Sequence, residues 1–358
     1  MQKMHPPSHP TFIVGTRPES IKLLPVIREF SNLGIISSVV LTGQHNESLV
    51  CRDLFLKENA KISCAENFSI EGIKKKISSF HSEIVFVQGD TKSAFYGAVA
   101  AHQLKIPLIH VEAGLRTFSF QPWPEEWLRV QISKLADLHF APSKLAKRNL
   151  LNEGVESERI IFSGNTIIDA VKISMRQSNN FYNLRKERKF KRIVLVTSHR
   201  RENGPNRSAV IYHSMLQAVR TLGFQFIIVE HHNSYLAKIA KKNSAEGVEV
   251  IPPLAHAEFV SLMYQSDIIL TDSGGVQEEA SCLGKPLIIL REKTERPEAV
   301  STGCALLVGA DPHLIFRALQ HFMLDNKVDP NTYQYHFVYG HGDAAKKIAD
   351  ETIRFMNV

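Results

Sequence analysis

The sequence predicts an α/β protein built from two doubly wound, Rossmann-like parallel-sheet domains, on three observations. Short, nearly continuous apolar runs recur along the chain, among them Ile84-Val-Phe-Val-Gln88 and Ile268-Ile-Leu-Thr271. Runs of this kind belong to strands covered on both faces. They alternate with segments of helical periodicity almost throughout, and the alternation restarts near Arg192 after a basic, polar stretch. At 358 residues the chain also exceeds the usual single core.

Taken in order, residues 1–10 (Met-Gln-Lys-Met-His-Pro-Pro-Ser-His-Pro) form a loose tail without the apolar core of a secretory signal. Strands follow from Thr11 to Gly15, Ser37 to Leu41, Ile84 to Gln88, Pro107 to Val111, Leu138 to Ala141 and Ile160 to Phe162. Helices are expected from Ser20 to Phe30, Glu47 to Lys57, Ile70 to Phe80, Lys92 to Gln103, Glu125 to Leu135, Lys144 to Asn152 and Asn165 to Met175. In the first of these Ile21, Leu24, Ile27 and Phe30 recur at helical spacing. Residues 11–176 are therefore a first domain, 177–191 a linker and 192–340 a second domain.

The second domain's strands run from Arg192 to Thr197, Phe226 to Val229, Val248 to Ile251, Ile268 to Thr271, Leu287 to Leu290 and Cys304 to Val308. Its helices run from Ser208 to Thr221, Ser234 to Lys242, Ala257 to Gln265, Val276 to Leu283 and Pro312 to Leu324. Residues 341–358 hold a last helix, Ala344 to Met356, expected to cross back to the first domain.

Composition excludes several classes. Hydrophobic content of 44% with 22% charge is globular, and no stretch approaches the ~20 apolar residues that span a bilayer. A cytoplasmic protein without membrane partners is expected. The 43 basic and 36 acidic residues give +7, but they are dispersed. The densest runs, Lys74 to Lys76 and Arg185 to Arg192, are short and hold a single aromatic, Phe190, which argues for an anionic small ligand over nucleic acid. Cys51, Cys64, Cys282 and Cys304 form no C-x-x-C pair and are expected as buried free thiols. No metal or dinucleotide motif is present.

Ligands of such sheets bind outside the carboxyl ends of the strands, here in a cleft between two similar domains. Those ends carry Gly15-Thr-Arg-Pro-Glu, Thr42-Gly-Gln-His45, Gln88-Gly-Asp90, His110-Val-Glu112, Ser198-His-Arg-Arg-Glu202 and Glu230-His-His-Asn233. Thr271-Asp-Ser-Gly-Gly-Val-Gln-Glu-Glu-Ala280 joins strand to helix through small residues. Such a helix start offers N–H donors and partial positive charge to a phosphate; Asp272 and Ser273 would equally serve as N-caps.

These stretches, with His110-Val-Glu-Ala-Gly-Leu-Arg-Thr117, Pro122-Trp-Pro-Glu-Glu126, Gly164-Asn-Thr166, His199-Arg-Arg-Glu-Asn203 and Thr294-Glu-Arg-Pro-Glu-Ala299, resemble the non-hydrolysing UDP-N-acetylglucosamine 2-epimerases from about residue 11 to 355. The resemblance implies a glycosyltransferase-B-type fold and a homodimer acting on a UDP-sugar without a redox cofactor. It implies interconversion of UDP-GlcNAc and UDP-ManNAc, by anti elimination of UDP to a 2-acetamidoglucal and re-addition, supplying sugar for surface polysaccharide. Hydrolysis to ManNAc and UDP, epimerisation of a related UDP-sugar, glycosyl transfer and non-catalytic UDP-sugar sensing are the alternatives.

By similarity Arg17, His199, Ser273 and Gly274 contact the diphosphate and Gly275 allows close approach. Glu279 takes the ribose, or is a first-turn acid. Phe259 stacks on uracil, or belongs to the core. Arg296 supports the nucleotide side or the domain junction, and Gln44 and His45 lie near the sugar or a regulatory pocket. By the same similarity Asp90, Glu112 and Glu125, with His199, form the catalytic set, each carboxylate having an ordinary cap as its alternative. The sequence departs from the family where arginines of many relatives bind a second, activating UDP-GlcNAc: Asn46 follows His45, and Ser69 to Ser79 contains no Arg.

Overall fold

The structure, a computed structural model, describes residues 9–44, 52–119, 123–177, 192–200, 202–231, 233–301, 303–324 and 339–357. It forms two compact units. The first holds the described residues up to Ala170 and from Tyr339 onward; the second holds those between.

The first unit's strands are β1 (Pro10–Val14), β2 (Ser38–Leu41), β3 (Lys61–Cys64), β4 (Ile84–Gln88), β5 (Leu108–Val111), β6 (Leu138–Ala141) and β7 (Ile160–Phe162), in the order β3-β2-β1-β4-β5-β6-β7. Between them run α1 (Arg17–Asn32), α2 (Arg52–Leu56), α3 (Ile70–Ser79), α4 (Lys92–Leu104), α5 (Glu125–Leu135) and α6 (Lys144–Asn152), followed by α7 (Thr166–Gln177). The second unit's strands are β8 (Arg192–Thr197), β9 (Phe224–Val229), β10 (Val248–Ile251), β11 (Ile268–Thr271), β12 (Leu287–Ile289) and β13 (Ala305–Leu307), in the order β10-β9-β8-β11-β12-β13. Its helices are α8 (Pro205–Leu222), α9 (Tyr235–Asn243), α10 (His256–Gln265), α11 (Gly274–Cys282), α12 (Pro297–Ser301) and α13 (Pro312–Leu324). The final helix, α14 (Ala344–Met356), packs Ala345, Ile348 and Ala349 into the first unit's core.

Every strand pairing is parallel. Apolar side chains on both faces of each sheet explain why. Phe12 of β1 stacks on Phe86 of β4 at 4.5 Å and meets Phe30 of α1 edge-on at 6.1 Å, while Ile13 faces the opposite cluster. Strand order reverses between β1 and β4 and again between β8 and β11. Those two switch points are where chain ends splay and ligands enter. The motifs after β1, β4, β8 and β11 all sit there.

Several expectations need correction. β3 has no counterpart in the sequence reading, because an edge strand with partly exposed residues carries no apolar run. α1 begins at Arg17 because Thr16 and Glu19 form a capping box. α11 begins at Gly274, so the two glycines are its first turn. Cys64 is exposed at the end of β3, Cys282 half-buried and Cys304 buried; the expectation of buried thiols fails at Cys64 because it ends an edge strand whose residues are exposed or half-buried. Cys51, the first turns of the helix expected from Glu47, and residues 178–191 lie outside the described residues. No helix among the described residues is long and apolar enough to cross a membrane.

Two buried imidazoles predict an acid limb of stability. Burial pushes His110 down to about 4 and His139, beside His110 and Arg159, down to about 3, from the ordinary 6.5. The unfolded chain therefore binds protons that the folded one refuses, and stability falls as pH drops from 6.5 towards these values. In His139→Phe the urea midpoint is expected to fall less between pH 7 and 4.5 than in the parent. Trp123 and Trp127, the chain's 2 tryptophans, lie in the first unit and report its unfolding. Parallel midpoint–pH curves would refute the assignment.

Candidate active site

In the first unit, polar residues gather where β1, β4 and β5 end. Gln88 registers with Val111, so Gly89-Asp90 and Glu112 leave neighbouring strands side by side. His110 donates from Nε2 to the Gly89 carbonyl at 2.9 Å. Glu112 takes φ +65°, the left-handed region that costs a side-chain-bearing residue about 1–3 kcal/mol and persists only where surrounding contacts impose it. The imposing contacts are Lys22 Nζ and Asn165 Nδ2, the latter at 3.1 Å, both donating to Glu112 Oε2. A Cβ on Gly89 would lie 4.0 Å from Glu112 Oε1, so that oxygen borders the Gly-Asp turn.

Asp90 is held by Arg129 of α5, Nη2 to Oδ2 at 2.6 Å. Arg129 also bonds Glu126 at 2.8 Å, and Glu126 accepts the N–H groups of Thr117 and Phe118 at 3.0 and 3.1 Å. One carboxylate thus ties the loop after Glu112 to the helix that Glu125 opens. Glu125 Oε2 is shut off from solvent and has no hydrogen-bond partner among the described residues. Such an oxygen costs about 1–3 kcal/mol and calls for a functional explanation.

Glu19 orders the neighbouring loop. It accepts the N–H groups of Gly15 and Thr16 at 2.8 and 2.6 Å and the hydroxyls of Thr16 and Thr91. Burial pushes its carboxyl up to about 7 against the pull of these donors. Arg17, half-buried, is the first residue of α1 beside this loop. Gln44 Oε1 accepts the Ser93 N–H at 2.9 Å and its hydroxyl at 2.7 Å, which holds the start of α4. His45 lies outside the described residues.

In the second unit Asp272 is fully buried and is not a helix cap. Its Oδ2 accepts from Ser198 Oγ at 2.9 Å, Asn203 Nδ2 at 2.9 Å and the N–H groups of His199 and Arg200 at 3.0 and 3.1 Å. The carboxylate therefore fixes the loop after β8 against the end of β11. His199 keeps 31% side-chain exposure and packs on His231, ring centroids 4.8 Å apart. Ser273 occupies the N-cap of α11, yet its hydroxyl makes no capping bond; its N–H donates to Thr271 Oγ1 at 3.0 Å.

Beneath the turn lies a buried ion network. Arg296 bonds Glu278 at 2.6 Å and Glu295 at 2.5 Å, and Arg291 bonds Glu295 at 2.8 Å and Glu202 at 2.9 Å. A Cβ on Gly274 would meet Arg296 Nη1 at 2.5 Å, whereas a Cβ on Gly275 would meet nothing within 4 Å among the described residues. Arg296 is thus the bed on which the turn rests. Glu279 is buried and bonded to His256 Nε2 at 2.8 Å. Phe259 is half-buried on α10 and packs against the core below β11.

The structure brings Asp90, Glu112 and the Gly-Asp turn together in one unit, with Glu125 on the helix tied to their loop by Glu126. It brings His199, Ser273, Gly274 and Gly275 to the switch point of the other. Sequence reasoning missed Lys22, Arg129, Glu126 and Asp272's bracing role. Arg129 follows Glu126 by three residues and Glu125 by four, a spacing that puts charges on one helix face and was an available signal. No group of three or more metal-ligating side chains occurs among the described residues.

Residues 34–352 match the family model described as UDP-N-acetylglucosamine 2-epimerase. A UDP-N-acetylglucosamine 2-epimerase of Neisseria meningitidis serogroup A is 36% identical over 365 residues, covering 96% of this chain and 98% of the relative. A Staphylococcus aureus MnaA–UDP co-structure superposes with TM-score 0.89 at 32% identity, covering 98% of this chain and 97% of that one. The crystal structure of the UDP-GlcNAc 2-epimerase from Neisseria meningitidis bound to UDP-GlcNAc gives 0.85 at 35% identity, covering 97% and 100%.

Proposed function

The chain belongs to the UDP-N-acetylglucosamine 2-epimerase family, and we propose that it interconverts UDP-GlcNAc and UDP-ManNAc on a glycosyltransferase-B-type scaffold. The observation that carries this is the end-to-end similarity to a 2-epimerase, 96% of one chain against 98% of the other. In the forward direction a carboxylate takes the C2 proton, the C1–O bond to UDP breaks, and a 2-acetamidoglucal and UDP result. UDP then re-adds at C1 while C2 receives a proton on the other face. The C2 proton is weakly acidic, so stabilising the departing diphosphate supplies much of the rate.

The second unit serves that need. The N–H groups of the Ser273-Gly274-Gly275 helix start and the side chain of His199 hold the diphosphate, and by the family resemblance Arg17 adds a cation. Glu279 accepts from the ribose hydroxyls and Phe259 stacks on uracil. Asp90, Glu112 and Glu125 carry the proton transfers, with Arg129 and Lys22 fixing where the first two point. Arg296 does not need to touch the nucleotide; its buried pairs support the turn. The working form is a homodimer in the cytoplasm, a compartment that suits the exposed free thiol of Cys64.

Incubation with UDP-GlcNAc in D2O without an acceptor tests the function. Deuterium at C2 with UDP-ManNAc appearing is the expected outcome. Free ManNAc plus UDP would assign hydrolysis, and absence of exchange despite UDP binding would refute epimerisation. The glycines give a paired prediction for the turn. Gly275→Ala has room for its methyl in the folded protein and is expected to keep the parent's melting temperature but weaken UDP binding by about tenfold or more. Gly274→Ala drives a methyl into an anchored guanidinium and is expected to cost about 1–3 kcal/mol of stability. Unchanged UDP affinity in Gly275→Ala would remove the turn from the site.

A further inference from the structure

In the second unit, side chains of α7, α10 and α11 meet in a hydrogen-bonded chain in which Ser174 and His256 have no part in the reaction as described. Ser174 of α7 lies 2.8 Å from His256 Nδ1, and His256 Nε2 lies 2.8 Å from Glu279 Oε1. The side chains of His256 and Glu279 are 15% and 7% exposed, and Ser174 is buried. Hydrogen-bond roles fix the proton on Nε2. A carboxylate only accepts, so Nε2 carries the hydrogen towards Glu279, and the Ser174 hydroxyl, able to donate or accept, meets the ring at Nδ1. Each of the three groups thereby has a complementary partner.

The chain immobilises a side chain that would otherwise rotate. The terminal torsion of a glutamate is broad, and Glu279 sits past the first turn of α11, beyond the backbone donors of the helix start. Its Oε1 is held by the imidazole. That hold orients Oε2 in a fixed direction and leaves it to accept from a ligand. Ser174 in turn holds the other ring nitrogen, so the plane of the imidazole is fixed from both sides. His256 itself is anchored as the first residue of α10, where Glu258 reaches back to the Ala255 N–H at 3.0 Å.

We propose that His256 is a positioning residue for the nucleotide's ribose: by holding Glu279 through Oε1, with Ser174 bracing the ring at Nδ1, it determines discrimination in favour of a 2′-hydroxyl. This rests on Glu279 as the ribose acceptor. An acceptor held in place before binding loses less on ordering than one that must be caught. The strength of the 2′-hydroxyl contact therefore depends on the imidazole, although His256 touches no substrate.

The test is the dissociation constant of UDP and of 2′-deoxy-UDP, measured calorimetrically on the full-length protein and its variants. The parent is expected to prefer UDP by about tenfold or more, the scale of one hydrogen bond to a charged group. In His256→Phe the UDP constant is expected to rise about tenfold and that of 2′-deoxy-UDP to stay within about twofold, so the preference collapses. His256→Gln, whose amide N–H can replace Nε2–H, is expected to restore much of it. Ser174→Ala, which removes a single hydroxyl, is expected to lower the preference about threefold and keeps the test available if His256→Phe does not fold. Equal loss of both nucleotides in His256→Phe, or an unchanged preference in it and in Ser174→Ala, overturns the proposal. Glu279→Ala separates it from its premise. If that variant keeps the parent's preference, the ribose is held elsewhere and the Glu279 assignment fails; if it abolishes the preference while His256→Phe does not, the positioning role alone fails.

Discussion

Glu112→Gln is expected to lower turnover by about a thousandfold while leaving UDP affinity within about twofold, the scale of losing a positioned acid–base group. The residue adopts a left-handed backbone conformation that an ordinary side chain avoids, and two donors from separate elements, Lys22 and Asn165, hold it there. Maintaining that conformation is sensible only if the carboxylate must point where it does. The substitution also removes the carboxylate that Lys22, 6% exposed, is bonded to, and breaking a buried ion pair on one side costs about 3–5 kcal/mol. Loss of activity could therefore be mistaken for loss of fold. The double variant Lys22→Met/Glu112→Gln separates the two. It is expected to regain most of the stability and none of the turnover, because the charge imbalance is gone and the proton carrier is still missing. Melting temperature, turnover and UDP titration on all three proteins decide the matter. A single variant within tenfold of the parent's turnover would take Glu112 out of the chemistry.

What could be read from the sequence divides along physical lines. Strands buried on both faces announce themselves through composition alone, so β1, β4, β8 and β11 and the switch points they create were legible. β3 was not, because an edge strand with half-exposed side chains has no pattern to show. The start of α11 was hidden for the opposite reason: Gly274 and Gly275 are poor helix formers, and only tertiary support places them in a helix. Asp90 and Glu112 were legible as polar residues at strand ends, whereas Glu125, at the start of α5, was marked only by the family resemblance. Their partners were not, since Lys22 meets Glu112 from 90 positions away and a lone lysine on an amphipathic helix looks like any surface charge. Arg296 shows the same limit. Its motif marks it as important, but only the packing reveals a guanidinium beneath Gly274.

Asp272→Ala is expected to destabilise the second unit by about 3–5 kcal/mol, the cost of breaking a buried charged network on one side. The sequence allowed a helix cap here, whose loss costs typically ~1 kcal/mol. The fold makes the carboxylate the bracket between β8 and β11 instead: it is 0% exposed and takes donors from Ser198, His199, Arg200 and Asn203. Removing it strands those donors together, and buried donors without acceptors each carry a desolvation penalty. Asp272→Asn is nearly isosteric but turns an N–H towards the His199 or Arg200 backbone N–H, so it too is expected to lose about 2–4 kcal/mol. Function follows from the same bracket. His199 is positioned through its own backbone, so UDP affinity is expected to fall in both variants even at temperatures where they stay folded. Tryptophan fluorescence is the wrong probe, because Trp123 and Trp127 both lie in the first unit. Hydrogen exchange read on peptides from β8 and β11 reports the right region, and opening energies there should drop while those in β1 and β4 hold. A loss near 1 kcal/mol, confined to the first turn of α11, would return Asp272 to the rank of a cap.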